Sequence, residues 1–281
     1  MLNSTAARTT WCLVFAVLAF TFATPARADS GDDNALIQRS GHEGGGGVLP
    51  PNSHAYGKSM GEWSAEWWKW VFAIPAPTNP LLDMTGADVA VGQSGPVWFL
   101  GGGFCTYTDC SHFTIVRNAT IPNGVALFFP IINNECSTLE GNGTTYYQLR
   151  SCASGFQDLA TNMTCEVDGT PVRNLDRYRV VSPLFTYTVP DNNIFQIFGE
   201  DFPGGSTSPS VSDGVYLMLR PLSAGRHVIH VTGEIPTYNF GLDVTYNLKV
   251  GGGHDGRGVA TPAGVTATSR TSWGQLKTIY R

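Results

Sequence analysis

The clearest pattern in the chain is an alternation of apolar and polar residues over positions 238–250. Every second residue is aromatic or aliphatic, and polar residues or glycine occupy the places between them. A period of two sends alternate side chains to opposite faces of a β-strand. The segment therefore predicts a strand of an antiparallel sheet, with one face in a core and the other in water. Its length favours a bend, which we expect near Gly241.

Shorter apolar runs bounded by turn residues predict further strands. Asp168-Gly169 is a strong signal for a two-residue hairpin. The other segments predicted as strands are residues 97–100, 113–117, 125–132, 164–167, 178–189, 215–219 and 228–231. The pattern predicts a mostly β domain over residues 56–250, folded as an antiparallel β-sandwich.

A helical period replaces the alternation between residues 59 and 73. Ser59 and Glu62 have the spacing of a capping box, and Pro75 stops the helix. The apolar residues of this segment fall on two arcs of the helix surface, Trp63, Trp67, Trp70 and Ile74 on one and Ala65, Trp68 and Phe72 on the other. A helix this aromatic must be covered on most of its circumference, so we expect it to pack against a sheet. Residues 145–159 predict one further short helix.

The two ends of the chain differ from the domain in composition. Residues 1–28 carry Arg8, an apolar run and a small-x-small site, the pattern of a cleavable secretory signal. Residues 29–55 predict a flexible leader and residues 251–271 a Gly/Thr/Ala/Pro linker, followed by a tag-like segment at 272–281. We expect an exported protein, extracellular, at the cell surface or in the periplasm, without a transmembrane segment after signal cleavage.

Charge and cysteine content narrow the classes of partner. The formal net charge of −5, without a basic stripe, argues against nucleic acid. Export makes disulfides the expected state of the cysteines left after signal cleavage. Cys105 and Cys110 bracket a short loop suited to a disulfide. Cys152 with Cys165, or either of them with Cys136, can form a second bridge, which leaves one thiol over. No C-x-x-C occurs, so we expect neither a metal site nor a cofactor.

The aromatic helix carries the first candidate site. Glu62 and Glu66 lie one turn apart beside Trp63 and Trp67. Glycan-processing clefts need two carboxyl groups for acid and base roles, and aromatic rings that stack on sugars. The competing explanation is structural: Glu62 belongs to the capping box, Glu66 pairs with Lys69, and the tryptophans are core.

A second candidate cluster, Asn133, Asn134 and Glu135, directly follows the apolar segment 125–132. Polar residues at the end of a buried strand often line a binding or catalytic site, because the strand fixes their position. Asparagines are equally common in ordinary turns. Glu135 is therefore a third candidate catalytic carboxyl, and the two asparagines are candidate ligand-binding residues.

Two pairs of basic residues are further candidates for a binding site. Arg177 and Arg179 flank Tyr178 and could hold an anionic group, although ordinary solvated charge explains them as well. His227 and His230 are three apart in a predicted strand, so their side chains point to opposite faces. A metal ion shared by these histidines is therefore not expected.

Several segments also resemble an uncharacterised family of exported bacterial proteins. The resemblance rests on residues 61–68 (GEWSAEWW), 92–100 (GQSGPVWFL), 128–133 (FFPIIN) and 243–246 (DVTY), and spans residues 56–250. It implies export and brings no known activity. The tail S-W-G-x-L-K-x-x-Y-R at residues 272–281 is similar to terminal segments of other secreted bacterial proteins. That similarity implies a handle for export or anchoring machinery.

Two functional hypotheses follow from the sequence. The first is a secreted or cell-surface β-sandwich that binds a glycan or a surface protein without catalysis, which the low charge and the tag-like tail favour. The alternative is a carbohydrate-active enzyme, a hydrolase or lyase, that uses Glu62, Glu66 or Glu135 within an aromatic cleft. Exposure of Trp63 and Trp67 distinguishes them: rings in an open groove favour the enzyme, and rings sealed in a core remove its support.

Overall fold

The structure, a computed structural model, describes residues 47–106 and 110–251. The predicted signal, most of the leader, the linker after Gly251 and the tag-like segment lie outside these residues. The strands are β1 Val97–Phe99, β2 Cys110–Ile121, β3 Ala126–Ser137, β4 Thr161–Val167, β5 Thr170–Pro171, β6 Arg179–Val181, β7 Phe185–Thr188, β8 Thr207–Leu219, β9 Gly225–Ile235 and β10 Phe240–Val250. The helices are α1 Met60–Phe72, α2 Tyr146–Gln157 and α3 Ile194–Ile197. No helix in the described part is long and apolar enough to cross a membrane.

The strands form two mixed sheets that pack as a sandwich. The first sheet has the order β1-β3-β8-β6, with β7 also paired to β8, and the second has the order β2-β10-β9-β4-β5. β1 runs parallel to β3 and β2 runs parallel to β10, whereas the other pairs are antiparallel. The predicted mostly β sandwich with an N-terminal aromatic helix is confirmed. Alternation within one strand carries no information on the direction of its partner, so the two parallel pairs were not predicted.

Alternation along β3 and β8 separates two cores on the two faces of the first sheet. Leu127 and Leu217 pack toward the second sheet, where Val244 of β10 lies. Phe128 and Tyr216 point the opposite way and pack under the tryptophans of α1. The first sheet therefore lies between α1 and the second sheet, as expected for a helix that is aromatic on most of its circumference.

The limits of α1 follow its sequence signals. Ser59 is the N-cap, and both halves of the capping box with Glu62 are formed, while Ala73 is the C-cap. Gly61 lets the helix approach β6 closely, because a Cβ atom there would lie 2.7 Å from the carbonyl oxygen of Val181. The second predicted helix is α2, which begins at a capping box formed by Thr145.

The strand predictions hold, except that one predicted strand is divided in two. The register of β10 against β2 shifts between Phe240 and Leu242, at the predicted bend. Asp168 and Gly169 have φ angles of 51° and 72° and form the predicted hairpin between β4 and β5. The predicted strand 178–189 is divided into β6 and β7. Pro183 lies between them and has no N–H to continue a ladder.

Two residues of the predicted leader, Val48 and Leu49, already contact β8. Val48 forms an isolated bridge with Leu219, and the N–H of Leu49 donates to the carbonyl oxygen of Met218. Val48 is also buried against the core between the sheets. The end of β8 thus offers backbone partners and an apolar surface that the polar composition around residue 48 did not suggest.

The structure contains two disulfides in its described part. Cys105 pairs with Cys110 as predicted, and Cys136 of β3 pairs with Cys152 of α2. Cys165 remains a thiol, so the bridge between Cys152 and Cys165 is not formed. The reason is positional: Cys165 lies in the core between the sheets, whereas Cys152 packs with Cys136 where α2 covers the end of β3.

Candidate functional site

A cavity of about 70 Å³ lies where β9 ends and β10 begins, bounded by α1, α2, β3 and the loop after β1. Aromatic residues from four parts of the chain line it, namely Trp67, Trp68, Phe104, Phe156, Tyr238 and Phe240. Asn133, Asn134 and Glu135 form a polar wall. Because one water needs roughly 10–15 Å³ of such volume, the cavity has room for a group of about five heavy atoms.

The shortness of β1 creates the space for this cavity. β1 pairs only with Ala126, Leu127 and Phe128 of β3, and the last bond across this edge runs from the N–H of Leu100 to the carbonyl oxygen of Phe128. Pro130 follows on the same edge of β3. Because proline has no N–H, no backbone donor is left without a partner at this position. In the part of the chain that the structure describes, no strand continues β1 beside Pro130. Residues of α1 and of the loop after β1 line that position instead.

A β-bulge in β3 sets the direction of the polar wall. Pro130 pairs with Tyr216 and Asn133 pairs with Gly214, so three steps along β3 match two steps along β8. The extra residue reverses the alternation beyond Ile132. Asn133 consequently reaches Tyr216 on the α1 side of the sheet. Without the bulge, Asn133 would point toward the second sheet.

Glycine is required opposite this bulge. A Cβ atom at Gly214 would lie 2.6 Å from the Cβ of Asn133 and 2.8 Å from a ring carbon of Tyr216. Real side chains essentially never approach so closely, so any larger residue must displace Asn133 or the Tyr216 ring. Gly214 therefore holds the polar wall in place.

The hydroxyl of Tyr216 joins the polar wall to the aromatic helix. It accepts hydrogen bonds from Nε1 of Trp68 and from Nδ2 of Asn133, each at 3.0 Å. Tyr216 is completely buried, and burial raises the pKa of its phenol well above the ordinary value. The group therefore stays a neutral hydroxyl at any physiological pH and can serve as a permanent acceptor for two neighbours.

The other two residues of the wall are also hydrogen-bonded to the framework. Nδ2 of Asn134 donates to Oε1 of Gln157 on α2 at 3.0 Å. The hydroxyl of Ser210 on β8 donates to Oε2 of Glu135 at 2.6 Å. The structure thus brings the predicted cluster of Asn133, Asn134 and Glu135 to one cavity, where β8 holds Asn133 and Glu135 and α2 holds Asn134.

Sequence reasoning missed Arg117, which holds the loop beside the cavity. Arg117 is fully buried, and its guanidinium donates to the carbonyl oxygens of Pro80, Asp83, Gly101 and Gly102. The signal was visible in the sequence, because Arg117 occupies an inward position in the alternation of β2. A charged residue at such a position needs a complete set of acceptors.

Five of the six aromatic residues were not predicted as members of a site, namely Trp68, Phe104, Phe156, Tyr238 and Phe240. Tyr238 and Phe240 belong to the alternating segment 238–250, and the other three come from three separate parts of the chain. The tertiary fold alone places these rings around one cavity.

The helix carboxylates have structural partners on the outer side of α1. Backbone and side-chain hydrogen bonds with Ser59 lower the pKa of Glu62, which is exposed. Glu66 bridges Lys58 at 3.2 Å and Lys69 at 3.0 Å. Partial burial acts to raise the pKa of Glu66, but hydrogen bonds with Lys69 and Lys58 lower it overall. Neither carboxyl lines the cavity.

The predicted ligand-binding tryptophans are core residues. Trp63 is 7% exposed and donates through Nε1 to the carbonyl oxygen of Ala55, and Trp67 is 1% exposed and donates to that of Leu100. Trp67 nevertheless contributes to the inner wall of the cavity, whereas Trp63 does not. An open aromatic cleft on α1, the premise of the glycan-processing hypothesis, is therefore missing from the described structure.

Ser59 also belongs to a G-x-S-x-G spacing, Gly57 to Gly61, which is typical of the nucleophile of hydrolases. That role needs a strand before the serine, whereas here the 3-10 turn Ala55–Gly57 precedes it. Ser59 instead caps α1, since its hydroxyl accepts the N–H of Glu62.

The basic candidates lie away from the cavity. Arg179 forms a two-pronged pair with Asp213, at 3.0 and 2.7 Å, and contacts Asp158 at 2.7 Å. The hydrogen bond with Asp213 raises the pKa of Arg179 further. Arg177 is exposed in the 3-10 turn before β6. Arg179 is therefore neutralised within the fold rather than left to hold an anion.

The two histidines each have a separate carboxylate. Nδ1 of His227 lies 2.7 Å from Asp168, and Nε2 of His230 lies 2.9 Å from Asp243. Across residues 47–106 and 110–251, no three His, Cys, Asp or Glu side chains come together in a way that could hold a metal ion.

No family model matches the chain, and no curated protein sequence matches it. Among solved structures, the chain is similar to the structure of PbICP-C in complex with falcipain-2, with 10% identity and a TM-score of 0.22 over 56% of this chain and 100% of that chain. It is similar to the cysteine protease inhibitor EhICP2 from Entamoeba histolytica, with 13% identity and a TM-score of 0.19 over 55% and 95% of the two chains. The solution structure of Amebosin gives 10% identity and a TM-score of 0.17 over 50% and 98%. Similarity at these TM-scores carries no argument about function.

Proposed function

We propose that the chain is an exported, noncatalytic binding protein that holds a small apolar group of its ligand in the cavity bounded by α1, α2, β3 and the loop after β1. The observation that carries the proposal is a cavity walled by aromatic and aliphatic side chains with a few polar groups at one side. Ligand sites commonly combine apolar walls with a small number of convergent polar groups. The two disulfides support export, since such bonds persist in oxidising compartments.

The geometry favours an apolar group over a sugar ring. A glycan needs an aromatic platform that is open to solvent, whereas Trp63 and Trp67 are buried. The cavity is also too small for a whole sugar ring with its hydroxyl groups, given room for about five heavy atoms. A ligand, or a side chain of a surface protein, that ends in a compact apolar group fits this space.

Binding of a neutral apolar probe tests the proposal. We expect 3,3-dimethyl-1-butanol to bind the full chain saturably in isothermal titration calorimetry. Leu242→Phe places a ring in the cavity that Leu242 lines, and should weaken this binding at least tenfold. Val116→Phe adds the same ring at a residue that is 49% exposed, and should leave binding unchanged.

Two results would contradict the proposed function. One is no saturable binding of the neutral probe to the wild-type chain. The other is equal binding by Leu242→Phe and Val116→Phe, because the probe would then occupy another place. Thermal unfolding of each variant checks that both remain folded.

A further inference from the structure

We propose that the ligand group held in the cavity is a methylated ammonium cation, such as a trimethylammonium head. This inference rests on the proposed function and adds the charge of the ligand to it. The observations that carry it are the aromatic wall, the chemistry of the polar groups and the size of the space.

The wall is unusually aromatic for a cavity this small, with Trp67, Trp68, Phe104, Phe156, Tyr238 and Phe240 around it. Aromatic rings carry negative charge on their faces and attract cations, and groups of such rings are a common way to recognise quaternary ammonium ions. Methyl groups on the nitrogen also match an apolar surface, so one ligand group satisfies both properties.

The charge of the wall has the right sign. Among the described residues that line the cavity, Glu135 is the one with a carboxyl group. The hydroxyl of Ser210 donates to this carboxyl at 2.6 Å, and such a hydrogen bond favours its ionised form. The buried cation Arg117 is covered by carbonyl oxygens and Tyr246, and it is not part of the lining.

Several side-chain N–H groups of the wall are hydrogen-bonded within the protein. The indole N–H groups of Trp67 and Trp68 donate to Leu100 and Tyr216. Asn133 directs an amide N–H to Tyr216, and Asn134 directs one to Gln157. These N–H groups are therefore not available to an anion, and the carboxyl group of Glu135 on the same wall favours a cation.

The space fits the proposed head group. A volume of about 70 Å³ has room for about five heavy atoms. A trimethylammonium group with the carbon that attaches it to the rest of a ligand has that size.

Comparison of choline with its uncharged analogue tests the inference. Choline and 3,3-dimethyl-1-butanol have the same shape and differ in the charge at one atom. We expect choline to bind the full chain about tenfold more tightly in titration calorimetry, as a cation among aromatic rings should. The anionic analogue 3,3-dimethylbutanoate should bind more weakly than either.

Variants assign the effect to the cavity. Glu135→Gln keeps an acceptor for Ser210 and removes the charge, so it should abolish the preference for choline. The matched control is Glu140→Gln. Glu140 likewise accepts a serine hydroxyl at 2.6 Å but does not line the cavity. The preference should be unchanged in this control. If Glu135→Gln does not fold, Phe240→Leu gives the second test and should weaken choline binding more than binding of the neutral analogue.

The outcomes separate the two proposals. Binding of the neutral analogue as tightly as choline overturns the ammonium inference and leaves the proposed function standing. Failure of both compounds to bind overturns both proposals. A choline preference that survives in Glu135→Gln and in Phe240→Leu also overturns the inference, because the cation would then be bound elsewhere.

Discussion

Replacement of Tyr216 by phenylalanine examines how the polar wall is attached to the fold. The change removes one oxygen atom and keeps the ring, which stacks on Phe128 with centroids 5.3 Å apart and planes within 11°. Packing is therefore conserved. What is lost is the common acceptor for the N–H groups of Trp68 and Asn133, together with the hydrogen bond to the Ser212 side chain.

The size of the effect follows from the burial of these two donors. A buried donor left without an acceptor costs about 1–3 kcal/mol. Trp68 is 1% exposed, so its N–H cannot reach water and the full cost applies to it. Asn133 is only half-buried and can turn toward water. We therefore expect Tyr216→Phe to lower the free energy of unfolding by about 2 kcal/mol. It should also weaken ligand binding, because Asn133 loses the contact that orients it.

Urea unfolding followed by tryptophan fluorescence measures this change. The control is Tyr147→Phe, since Tyr147 is 79% exposed, and it should change stability by less than about 0.5 kcal/mol. A double-mutant cycle with Asn133→Ala should show that the two residues are coupled. A loss below about 0.5 kcal/mol for Tyr216→Phe would refute the reasoning, because both donors would then find other acceptors at no cost.

Three further predictions concern the second sheet and the cysteines. A hydrogen bond with Asp168 raises the pKa of His227 in the folded protein. The stability that protonated His227 adds to the fold is therefore complete below about pH 6.5, the ordinary pKa of histidine, and is lost as the pH rises through the raised pKa. The stability difference between wild type and His227→Gln in urea should thus be larger near pH 6 than near pH 8, and a larger difference near pH 8 would contradict this sign. Burial raises the pKa of Cys165 to about 12, so a thiol reagent should label it only after unfolding, and rapid labelling of the native chain would count against its place in the core. Replacing Cys136 and Cys152 together by alanine opens a link across 16 positions and should lower the free energy of unfolding by about 3 kcal/mol, measured by urea unfolding. A loss under about 1 kcal/mol would show that α2 docks without the bridge.

Local patterns were enough to predict most of the secondary structure. In β10, the inward residues Leu242, Val244 and Tyr246 are buried, as the period of two requires. In α1, Ser59 and Glu62 form the capping box that their spacing indicated. These features depend on residues that are neighbours along one element, so a short segment of the sequence contains both partners of each interaction.

The candidate site could be predicted only in part. Asn133, Asn134 and Glu135 were predicted to follow a buried strand; they lie within β3, beyond its bulge, and line the cavity. Their direction depends on the bulge, which is defined by the register between β3 and β8 and does not show in the pattern of β3 alone. The sequence allowed the two carboxylates of α1 to be either catalytic groups or structural ones. In the structure, Glu62 belongs to the capping box and Glu66 forms an ion pair with Lys69, which are the structural contacts.

What the sequence by itself determined is therefore the local chemistry: where strands alternate, where helices begin, and which polar residues follow the apolar run of β3. Only the tertiary structure decided which faces meet and what space remains between them. The bond from Trp68 to Tyr216 spans 148 positions, and Arg117 collects acceptors from loops up to 37 positions away. The cavity depends on such long-range contacts, because its walls come from elements that become neighbours only when the sheets and α1 pack together.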